Sequence, residues 1–431
     1  MKVTRGMQRR TAKLARRAAL VGSDTLIAGI DLAKRESVVV FIRAKDKARL
    51  GKLRIPTTRE GVAELERRGC LMMEREGLTR LVLGMEPTDH YWKVVCRAGE
   101  RLGIGYAIVQ SFVVARAREL DDLTRDKTDH RDAALIADLV ADLRFTDVRL
   151  ESGAWLALRS YADARARYRV ERASALQEQR SLLELAWPEL LRVVLDLRGC
   201  HLQAALRLGL TPSEIARIPL HRFTSRLRIK QRAHRFSPEM SRRIWEAARA
   251  AREEPEAVSA ALRWQLAGER AQAAELAISR LDVRMREAFA ATGLDWMRGQ
   301  IRGLGEILLT NLLAFSGDPR RLDDAACMLK LAGSNPTERS SGEQVAAGGI
   351  HRRGRPSLRL LAFQAATCLL RHNPEFQIRY RALVDRARHP LSPKQAQLAV
   401  ANKLLRVLWS MAVSGRPYDS QLAAGGLRQA A

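Results

Sequence analysis

The chain has 431 residues, with 75 Lys and Arg against 48 Asp and Glu, which gives a formal net charge of +27. This length suits two or three domains, and such a basic excess points to a nucleic acid partner, or less often to an anionic membrane. No run of about 18 uncharged apolar residues occurs, so no membrane-spanning helix is expected. The five cysteines are widely spaced, which excludes zinc-type spacing and favours free thiols in a reducing cytoplasm.

The first 20 residues contain seven Lys and Arg and no acid. They lack the apolar core of a secretory signal. A transit peptide and a basic arm on a phosphate backbone both have this composition, and the density of Arg favours the arm. We therefore predict a basic N-terminal arm over residues 1–24.

Two acids follow short apolar runs in the first third of the chain. Residues 27–42 contain two such runs around a turn, which predicts a β-hairpin with Asp31 at the end of its first strand. The second apolar run is residues 81–85, and Glu86 follows it directly. Residues 104–109 predict a further strand. Strands that alternate with helices, such as the one predicted at 59–76, indicate an α/β sheet with sites at strand ends. A plain surface acid at a strand end remains the alternative for each residue.

Asp129 and Asp132 are three residues apart in Lys-Thr-Asp-His-Arg-Asp-Ala, just before an apolar helical stretch. On a helix they share a face. Either they form an acidic first turn that suits the helix dipole, or they are oxygen ligands for a divalent cation. With Asp31 and Glu86 they make a set of four acids, which metal-assisted chemistry on a phosphodiester requires.

Three phrases carry a family resemblance: Gly-Ile-Asp, Gly-Met-Glu-Pro-Thr-Asp-His-Tyr-Trp and Lys-Thr-Asp-His-Arg-Asp-Ala. Over roughly residues 25–145 the chain resembles the DEDD, RuvC-like domain of transposases from insertion sequence family 110. The resemblance implies an α/β domain with an RNase H/RuvC-like mixed sheet over residues 25–150. It also implies that Asp31, Glu86, Asp129 and Asp132 bind the catalytic Mg2+ or Mn2+. Asp89 stands where the family commonly has Gly, so either it assists the site or it faces solvent.

The middle of the chain is predicted to be a helical, coiled-coil-like linker over residues 151–295. Residues 151–187 and 241–292 have helical apolar periodicity, the second interrupted at Pro255. The second stretch either pairs with another subunit or folds back as a hairpin. The Arg residues of the first stretch either contact nucleic acid or form a solvated face.

A basic segment lies inside this linker. Residues 221–235 contain six Lys and Arg and no acid. Such a segment gains affinity for a phosphate backbone by counterion release, and Arg planes also stack on unpaired RNA bases. The alternative is a basic loop without a dedicated partner. We predict nucleic acid contacts from Arg226, Arg228, Lys230 and Arg232.

A second block begins with Gly303 and Gly305, which open a helix. This resembles the hairpin of helix-hairpin-helix DNA binders, whose backbone N–H groups hold a phosphate; a plain tight turn is the alternative. Residues 331–343 then form a loop rich in Ser, Gly and Pro, and residues 348–359 are rich in Gly and Arg. A serine beside several guanidinium groups suits attack on phosphorus once a base or metal activates it, although an ordinary linker has the same composition.

This block resembles the family's C-terminal transposase domain, predicted here as a mainly helical domain over residues 296–431. The matching parts are the Gly-x-x-Pro loop at 333–336, Ser341-Gly342, the basic stretch at 352–359 and a closing helix at 401–418. The resemblance implies that Ser341 is the nucleophile, with the adjacent Ser340 as the alternative. In this basic stretch, we predict nucleic acid contacts from Arg352, Arg353 and Arg355.

The resemblance implies a DNA transposase that cuts and rejoins DNA through a covalent serine–DNA ester. Its expected partners are donor and target DNA, a structured guide RNA encoded by the element (a bridge RNA), and further copies of the chain in a dimer or tetramer, with no membrane. We expect a cytoplasmic bacterial protein that acts at the nucleoid. One alternative is a metal-dependent junction resolvase without a covalent intermediate, and another is a nucleic acid binder with an inactive catalytic domain.

Overall fold

The computed structural model describes residues 5–121, 128–146, 148–151, 153–194, 196–230, 237–252, 254–337, 339–341, 344–346 and 349–421. The chain divides into two compact units, Met1–Leu150 and Glu151–Ala431. No helix among the described residues is long and apolar enough to cross a membrane. The predicted division into four segments stays a prediction.

A mixed five-stranded sheet forms the centre of the first unit. Its strands are β1 (Thr25–Asp31), β2 (Glu36–Arg43), β3 (Arg49–Pro56), β4 (Arg80–Met85) and β5 (Gly105–Ile108). The order is β3-β2-β1-β4-β5. The neighbours β1, β2 and β3 are antiparallel, whereas β4 and β5 run parallel to β1. The helices of this unit are α1 (Arg5–Leu20), α2 (Arg59–Glu76), α3 (Tyr91–Arg101), α4 (Ser111–Asp121) and α5 (Asp129–Ala141).

Apolar layers cover both faces of the sheet, which is why β1 and β2 are almost continuously buried. Leu26, Ala28 and Ile30 face one layer together with residues of α2 and α3. Ile27 faces the other layer, which contains Ala133 and further residues of α5. The predicted α/β fold with an RNase H/RuvC-like mixed sheet is confirmed.

The N-terminal basic stretch forms helix α1, and the C-terminal end of this helix is attached to the sheet unit. Arg17 Nη1 donates a hydrogen bond to the carbonyl of Leu143 at 2.7 Å. Arg80 Nη1 donates to the carbonyl of Ala19 at 2.9 Å. The stretch predicted as an arm is thus helical over Arg5–Leu20 and anchored at its end.

Two helices of 34 residues each form the long part of the second unit, α6 (Gly153–Ala186) and α12 (Ala257–Ala290). They run antiparallel, since Arg165 in the first half of α6 pairs with Asp282 in the second half of α12 at 2.5 Å. Further along, Gln179 Nε2 donates to the carbonyl of Trp264 at 2.9 Å. Of the two arrangements that the sequence left open, the second helix folds back on the first.

Five shorter helices connect the far ends of this pair: α7 (Pro188–Val193), α8 (Cys200–Leu206), α9 (Pro212–Arg217), α10 (Leu220–Lys230) and α11 (Pro238–Ala250). They enclose a separate apolar core with Trp187 and Trp264, whose ring centroids are 6.1 Å apart. The basic segment predicted to track a phosphate backbone is therefore helical up to Lys230. Its Phe223 and Leu227, spaced by one turn, are fully buried in this core.

The rest of the second unit consists of α13 (Glu306–Ser316), α14 (Ala325–Ala332), α15 (Pro356–His372), α16 (Pro374–Val384) and α17 (Pro393–Ser414), with a hairpin of β6 (Arg339–Ser341) and β7 (Gln344–Ala346) and short 3-10 helices at Asp295–Met297 and Pro319–Arg321. Leu158 of α6 and Phe289 of α12 belong to the same apolar core as these helices. The near ends of the long pair are thus packed into this helical layer.

Candidate active site and nucleic acid interface

Asp31 and Glu86 lie at the same edge and on the same face of the sheet. Strands β1 and β4 are parallel neighbours in which Ile30 pairs with Met85. Asp31 ends β1, and Glu86 comes directly after β4. Because side chains alternate along a strand, Asp31 shares the face of Gly29, and Glu86 shares the face of Gly84. That face is the one covered by α5.

Helix α5 lies against this face because two paired glycines permit a close approach. A Cβ on Gly29 would be 2.2 Å from the carbonyl oxygen of Ala133, and one on Gly84 would be 2.7 Å from Val140. Gly29 and Gly84 are register partners in the parallel pair. The helix backbone therefore touches β1 at Gly29, and the side chain of Val140 packs on β4 at Gly84.

The direction of α5 brings its first turn to the edge where β1 ends. At the C-terminal end of α5, Asp142 forms a 2.7 Å ion pair with Lys47 in the turn between β2 and β3. This turn adjoins the start of β1, since the N–H of Ala44 donates to the carbonyl of Thr25. Thus α5 runs antiparallel to β1, and its first-turn acids Asp129 and Asp132 lie toward the end that carries Asp31.

Asp129 and Asp132 have different environments. Thr128 is the N-cap of α5, and its hydroxyl accepts a hydrogen bond from the N–H of Arg131. Asp129 is exposed, whereas Asp132 is buried with 4% of its surface accessible. Its Oδ1 accepts from Arg118 Nε at 2.9 Å and lies 2.8 Å from Arg118 Nη2. The sequence reasoning missed Arg118, because nothing in the local pattern of α4 marks it as the partner of an acid 14 residues later.

The four acids fit a hard divalent cation by donor chemistry and by their shared edge. Within the described ranges, however, no three His, Cys, Asp or Glu side chains are grouped closely enough to hold a metal ion. Metal binding at this edge therefore requires side-chain movement. Both contacts of Arg118 with Asp132 are made to Oδ1.

Asp89 follows Glu86 in the turn before α3. Its backbone has φ +46°, and its carboxylate lies 3.3 Å from Nδ1 of His90 with both side chains largely exposed. The His90 ring in turn contacts that of Tyr91, with centroids 4.3 Å apart. These contacts place Asp89 in the surface turn, and a role for it in the site stays open.

The predicted serine lies in the β6–β7 hairpin of the second unit. Ser340 pairs with Val345 and Ser341 with Gln344. The side chains of both serines, and residues 342–343, lie outside what the structure describes. The assignment of Ser341 as nucleophile therefore stays a prediction.

The loop that leads into this hairpin is firmly anchored to α17. Ser334 Oγ donates to Asn402 Oδ1 at 2.5 Å, and Asn402 Nδ2 donates to the carbonyl of Ser334 at 3.1 Å. Gly333 has φ +65°, and a Cβ there would lie 3.0 Å from the backbone of Arg352. The Gly-x-x-Pro loop and the start of the basic stretch are therefore packed against each other.

The three arginines of the basic stretch that are predicted to contact nucleic acid differ in their surroundings. Arg352 and Arg353 are exposed ahead of α15. Arg355 instead donates through Nη1 to the carbonyl of Phe315 at 2.7 Å, and Arg159 donates to the same carbonyl at 3.0 Å. Burial of the Arg355 side chain, and after it the positive charge of Arg159, lowers the pKa of Arg355. Arg355 thus closes the C-terminal end of α13, and its predicted nucleic acid contact remains untested.

On α10, Arg226 and Arg228 are exposed beside the buried Phe223 and Leu227. The side chain of Lys230 and all of Arg232 lie outside the described residues. At the start of α13, Gly303 has φ +86° and Gly305 is the N-cap. Glu306, the first residue of that helix, pairs with Arg298 at 3.2 Å. The turn has the geometry of a tight loop that opens a helix, and its predicted role in phosphate binding is untested.

Comparison with known proteins agrees with this arrangement. A mixed sheet of this order, with acids at one edge beneath a helix start, defines a RuvC-like domain of the DEDD type. Residues 28–188 match the DEDD model for transposases of the IS110 type, and residues 299–381 match a model described as transposase, IS116/IS110/IS902 family. The chain belongs to the IS110 family of transposases.

A curated relative named "Putative transposase y4pF/y4sB", from Sinorhizobium fredii, is 30% identical over 146 residues. The alignment spans 33% of this chain and 37% of the relative. The chain therefore matches little more than a third of that relative's length.

Proposed function

We propose that the protein is a DNA transposase that cuts and rejoins DNA strands, with metal-binding acids in the first unit and a nucleophilic serine in the second. The observation that carries this proposal is the shared sheet edge of Asp31, Glu86, Asp129 and Asp132. Four acids from three separate elements at one edge offer the oxygen donors that a hard divalent cation prefers. The match of residues 299–381 to the second family model supports the serine as the proposed nucleophile.

The acids would hold Mg2+ or Mn2+, as their oxygen donors and positions suggest. When bound, the metal would polarise the scissile phosphate and lower the pKa of a coordinated hydroxyl. The carboxylates would hold the cation, and one of them, Asp132, is largely excluded from solvent. In the chain without a metal, the guanidinium of Arg118 compensates the negative charge of Asp132.

Ser341 would attack phosphorus through Oγ. Its hydroxyl loses a proton, a phosphoserine ester forms, and one P–O bond of the DNA backbone breaks with its oxygen leaving as a hydroxyl. Attack on that ester by the hydroxyl of another strand restores a phosphodiester and frees the serine. The number of phosphoester bonds is conserved, so no high-energy cofactor is needed.

The partners would be donor and target DNA, a structured guide RNA of the element, and further copies of the chain. The net charge of +27 supports a polyanionic partner. Family membership supports DNA as a substrate. RNA guidance and assembly into a dimer or tetramer rest on the resemblance alone.

The test is a denaturing gel of labelled donor DNA after incubation with the full chain, Mg2+ and RNA transcribed from the element's ends. Wild type is compared with Ser341→Ala, Ser340→Ala and Asp129→Asn, with Ser410→Ala on the exposed face of α17 as a matched control. We expect a protein–DNA adduct in wild type, Ser340→Ala and Ser410→Ala, and none in the other two.

Each alternative predicts a different gel. Among the serine variants, an adduct lost in Ser340→Ala and kept in Ser341→Ala would assign the nucleophile to Ser340. Free cleaved ends without an adduct, unchanged in Ser341→Ala, would establish the resolvase alternative. Binding without cleavage under any divalent metal would indicate an inactive catalytic domain and refute the proposal.

A further inference from the structure

Four basic side chains lie near the sheet edge that carries Asp31, on its β2–β3 side. Lys34 and Arg35 belong to the turn between β1 and β2, and Lys52 and Arg54 lie on β3. All four side chains are exposed, and they lie outside the basic segments that the sequence singled out as nucleic acid contacts. We call Lys34, Arg35, Lys52 and Arg54 the basic edge patch.

The register of the sheet puts Arg54 in line with Asp31. Val38 of β2 pairs with Asp31 on one side and with Arg54 on the other. Directly paired residues share a face of the sheet, so Arg54 lies on the same face as Asp31. Neighbouring strands are about 4.8 Å apart, so the backbones of Asp31 and Arg54 lie about 10 Å from each other.

Lys52 shares this face because it pairs with Val40, which belongs to the core beneath α5. The alternate residues of β3, Leu53 and Ile55, pack into the core on the opposite face. Lys52 and Arg54 are two residues apart on one strand, which separates them by about 7 Å. Strand β3 thus presents two cations in a row that leads toward the edge of Asp31.

The turn that carries Lys34 and Arg35 is fixed to the end of β3 by Thr57. The N–H of Thr57 donates to the carbonyl of Arg35 at 2.9 Å, and its hydroxyl donates to the carbonyl of Ala33 at 2.7 Å. The hydroxyl oxygens of Ser37 and Thr57 are 2.8 Å apart and buried. These contacts hold Lys34 and Arg35 at the edge where β3 ends.

The basic edge patch differs in charge balance from the other cations of the β2–β3 hairpin. Arg43 pairs with Glu76 at 2.5 Å, Lys47 with Asp142 at 2.7 Å and Arg49 with Asp138 at 2.6 Å.

Within the part of the chain that the structure describes, by contrast, no side chain of the patch forms an ion pair or a hydrogen bond. The exposed Glu36, which follows Arg35, is not paired with any of them either. The patch therefore keeps a net positive charge.

On the other side of Asp31 the same sheet edge is acidic. Glu86 follows β4 directly, and Asp89 lies in the turn after it. The phosphates of a nucleic acid are repelled by these carboxylates and attracted by the unpaired cations on the β2–β3 side. This difference gives a bound strand a preferred direction away from the acids.

We propose that the basic edge patch binds backbone phosphates of the DNA strand that is cut, so that this strand leaves the acids across β2 and β3. The inference rests on the proposed function, which assigns the four acids to the scissile phosphate. DNA is the occupant because the patch begins beside those acids, where the cut strand must lie. Arg35 and Arg54 supply guanidinium groups that match phosphate oxygens with paired hydrogen bonds.

The experiment measures the DNA affinity of the full chain against salt by fluorescence anisotropy, with labelled donor DNA and no divalent metal. The variants are Lys52→Gln, Arg54→Gln and the double variant. Two control variants each remove one exposed cation from the same unit, Lys45→Gln and Lys93→Gln. Lys45 lies in the turn at the far end of the β2–β3 hairpin, and Lys93 lies near the start of α3, on the β4 side.

The slope of log affinity against log salt falls by about 0.9 for each phosphate contact that is lost. We expect this fall in each single patch variant, about twice the fall in the double variant, and no change in either control. An equal fall in a control variant would indicate diffuse attraction by the net charge and would overturn the proposal. A slope change with RNA and none with DNA would also overturn it.

A structural role of the cations predicts a different result. Lysine and arginine on an edge strand also prevent edge-to-edge pairing of sheets. Unchanged slopes in both single variants, with aggregation of the double variant on a sizing column, would assign them to that role and overturn the proposal. Because the side chains are exposed, we expect all variants to unfold at the temperature of wild type.

The adduct gel separates this inference from the proposed function. If both are right, Arg54→Gln gives less adduct than wild type at low DNA concentration and the same amount at saturating DNA. If only the inference is wrong, Arg54→Gln gives the wild-type amount at every DNA concentration, and its salt slope is unchanged. If only the proposed function is wrong, wild type forms no adduct while the changes of slope remain.

Discussion

The carboxylate of Asp132 is buried and accepts at one oxygen from the guanidinium of Arg118. Breaking this pair leaves a charge in a desolvated place, where a hydrogen bond to a charged group contributes about 1.5–3 kcal/mol. The pair therefore stabilises the same acid that the proposed function assigns to a metal.

For Arg118→Gln we expect the free energy of unfolding to fall by about 1–3 kcal/mol, measured by urea unfolding without divalent metal. The control is Arg116→Gln on the same helix, whose ion pair with Glu119 is exposed and contributes about 0–0.5 kcal/mol. Equal losses in the two variants would show that the burial of Asp132 does not matter. Under the proposed function, Mg2+ should restore part of the stability lost in Arg118→Gln.

Lys403 gives a prediction for pH. Burial, Arg379 and Arg406 lower its pKa below the ordinary 10.5, so the folded chain binds the proton less well than the unfolded chain. Between the two pKa values the unfolded state carries more protons, and the contribution of Lys403 to stability therefore rises with pH up to 10.5. At pH values below the pKa of Lys403 in the folded chain, its positive charge lowers the free energy of unfolding by a constant amount.

We expect the alkaline rise in unfolding free energy to be smaller in Lys403→Gln than in wild type. Urea unfolding at neutral pH and just below 10.5 measures it, with exposed Lys394→Gln on α17 as control. Identical pH profiles for wild type and both variants would contradict the lowered pKa.

At the scale of elements, the contact between α5 and β1 depends on Gly29. A Cβ there would meet the backbone oxygen of Ala133 at 2.2 Å and Ala137 at 2.7 Å, so the helix must move. The first turn of α5 would move with it, away from Asp31.

Gly29→Ala should lower the free energy of unfolding by about 1–3 kcal/mol, the usual cost of overpacking, and should abolish metal-dependent cleavage. Gly51→Ala on β3 is the control, since its added Cβ meets only the terminal methyl of Met72, which can turn aside. Chemical denaturation and the cleavage gel measure the two effects. Wild-type behaviour of Gly29→Ala in both would refute the close-packing account.

The sequence predicted those helices and strands whose ends are set by neighbouring residues, such as capping residues and glycines. Helix α2 has the predicted bounds because Thr58 caps its start and Gly77 ends it in the left-handed conformation. Strand β3 was not predicted, since Arg49–Pro56 is a partly exposed edge strand with polar residues and a glycine. In α10, the basic residues led to the prediction of a segment that binds a phosphate backbone. The helical spacing of Phe223 and Leu227, which are buried, was the better indication of its structure.

The candidate site was predictable in part. Strand ends and a helix start indicated Asp31, Glu86, Asp129 and Asp132. The sheet carries Asp31 and Glu86 at one edge and α5 directs its first turn toward that edge, while the role of the four acids stays a prediction. Arg118 was not predicted because its contact with Asp132 joins two helices, α4 and α5, that the sequence does not show to be neighbours. A charge pattern on one helix does not reveal what the facing helix carries.

For the whole molecule, the net charge of +27 predicts strongly salt-dependent binding of nucleic acid. If the chain contacts six or more phosphates, affinity for a duplex should fall by about 10³-fold or more between roughly 50 and 200 mM salt. Anisotropy titrations measure this, with an uncharged peptide nucleic acid duplex as control. An affinity independent of salt would contradict an electrostatic interface.

The antiparallel pairing of α6 and α12 has a consequence for biosynthesis. On the ribosome α6 is complete before residues 187–256 are made, and its partner follows only after them. Translation proceeds at roughly 5–20 residues per second, so the face of α6 that packs against α12 stays uncovered for a time on the order of ten seconds. During that interval the nascent chain exposes apolar surface of the kind that chaperones protect from aggregation.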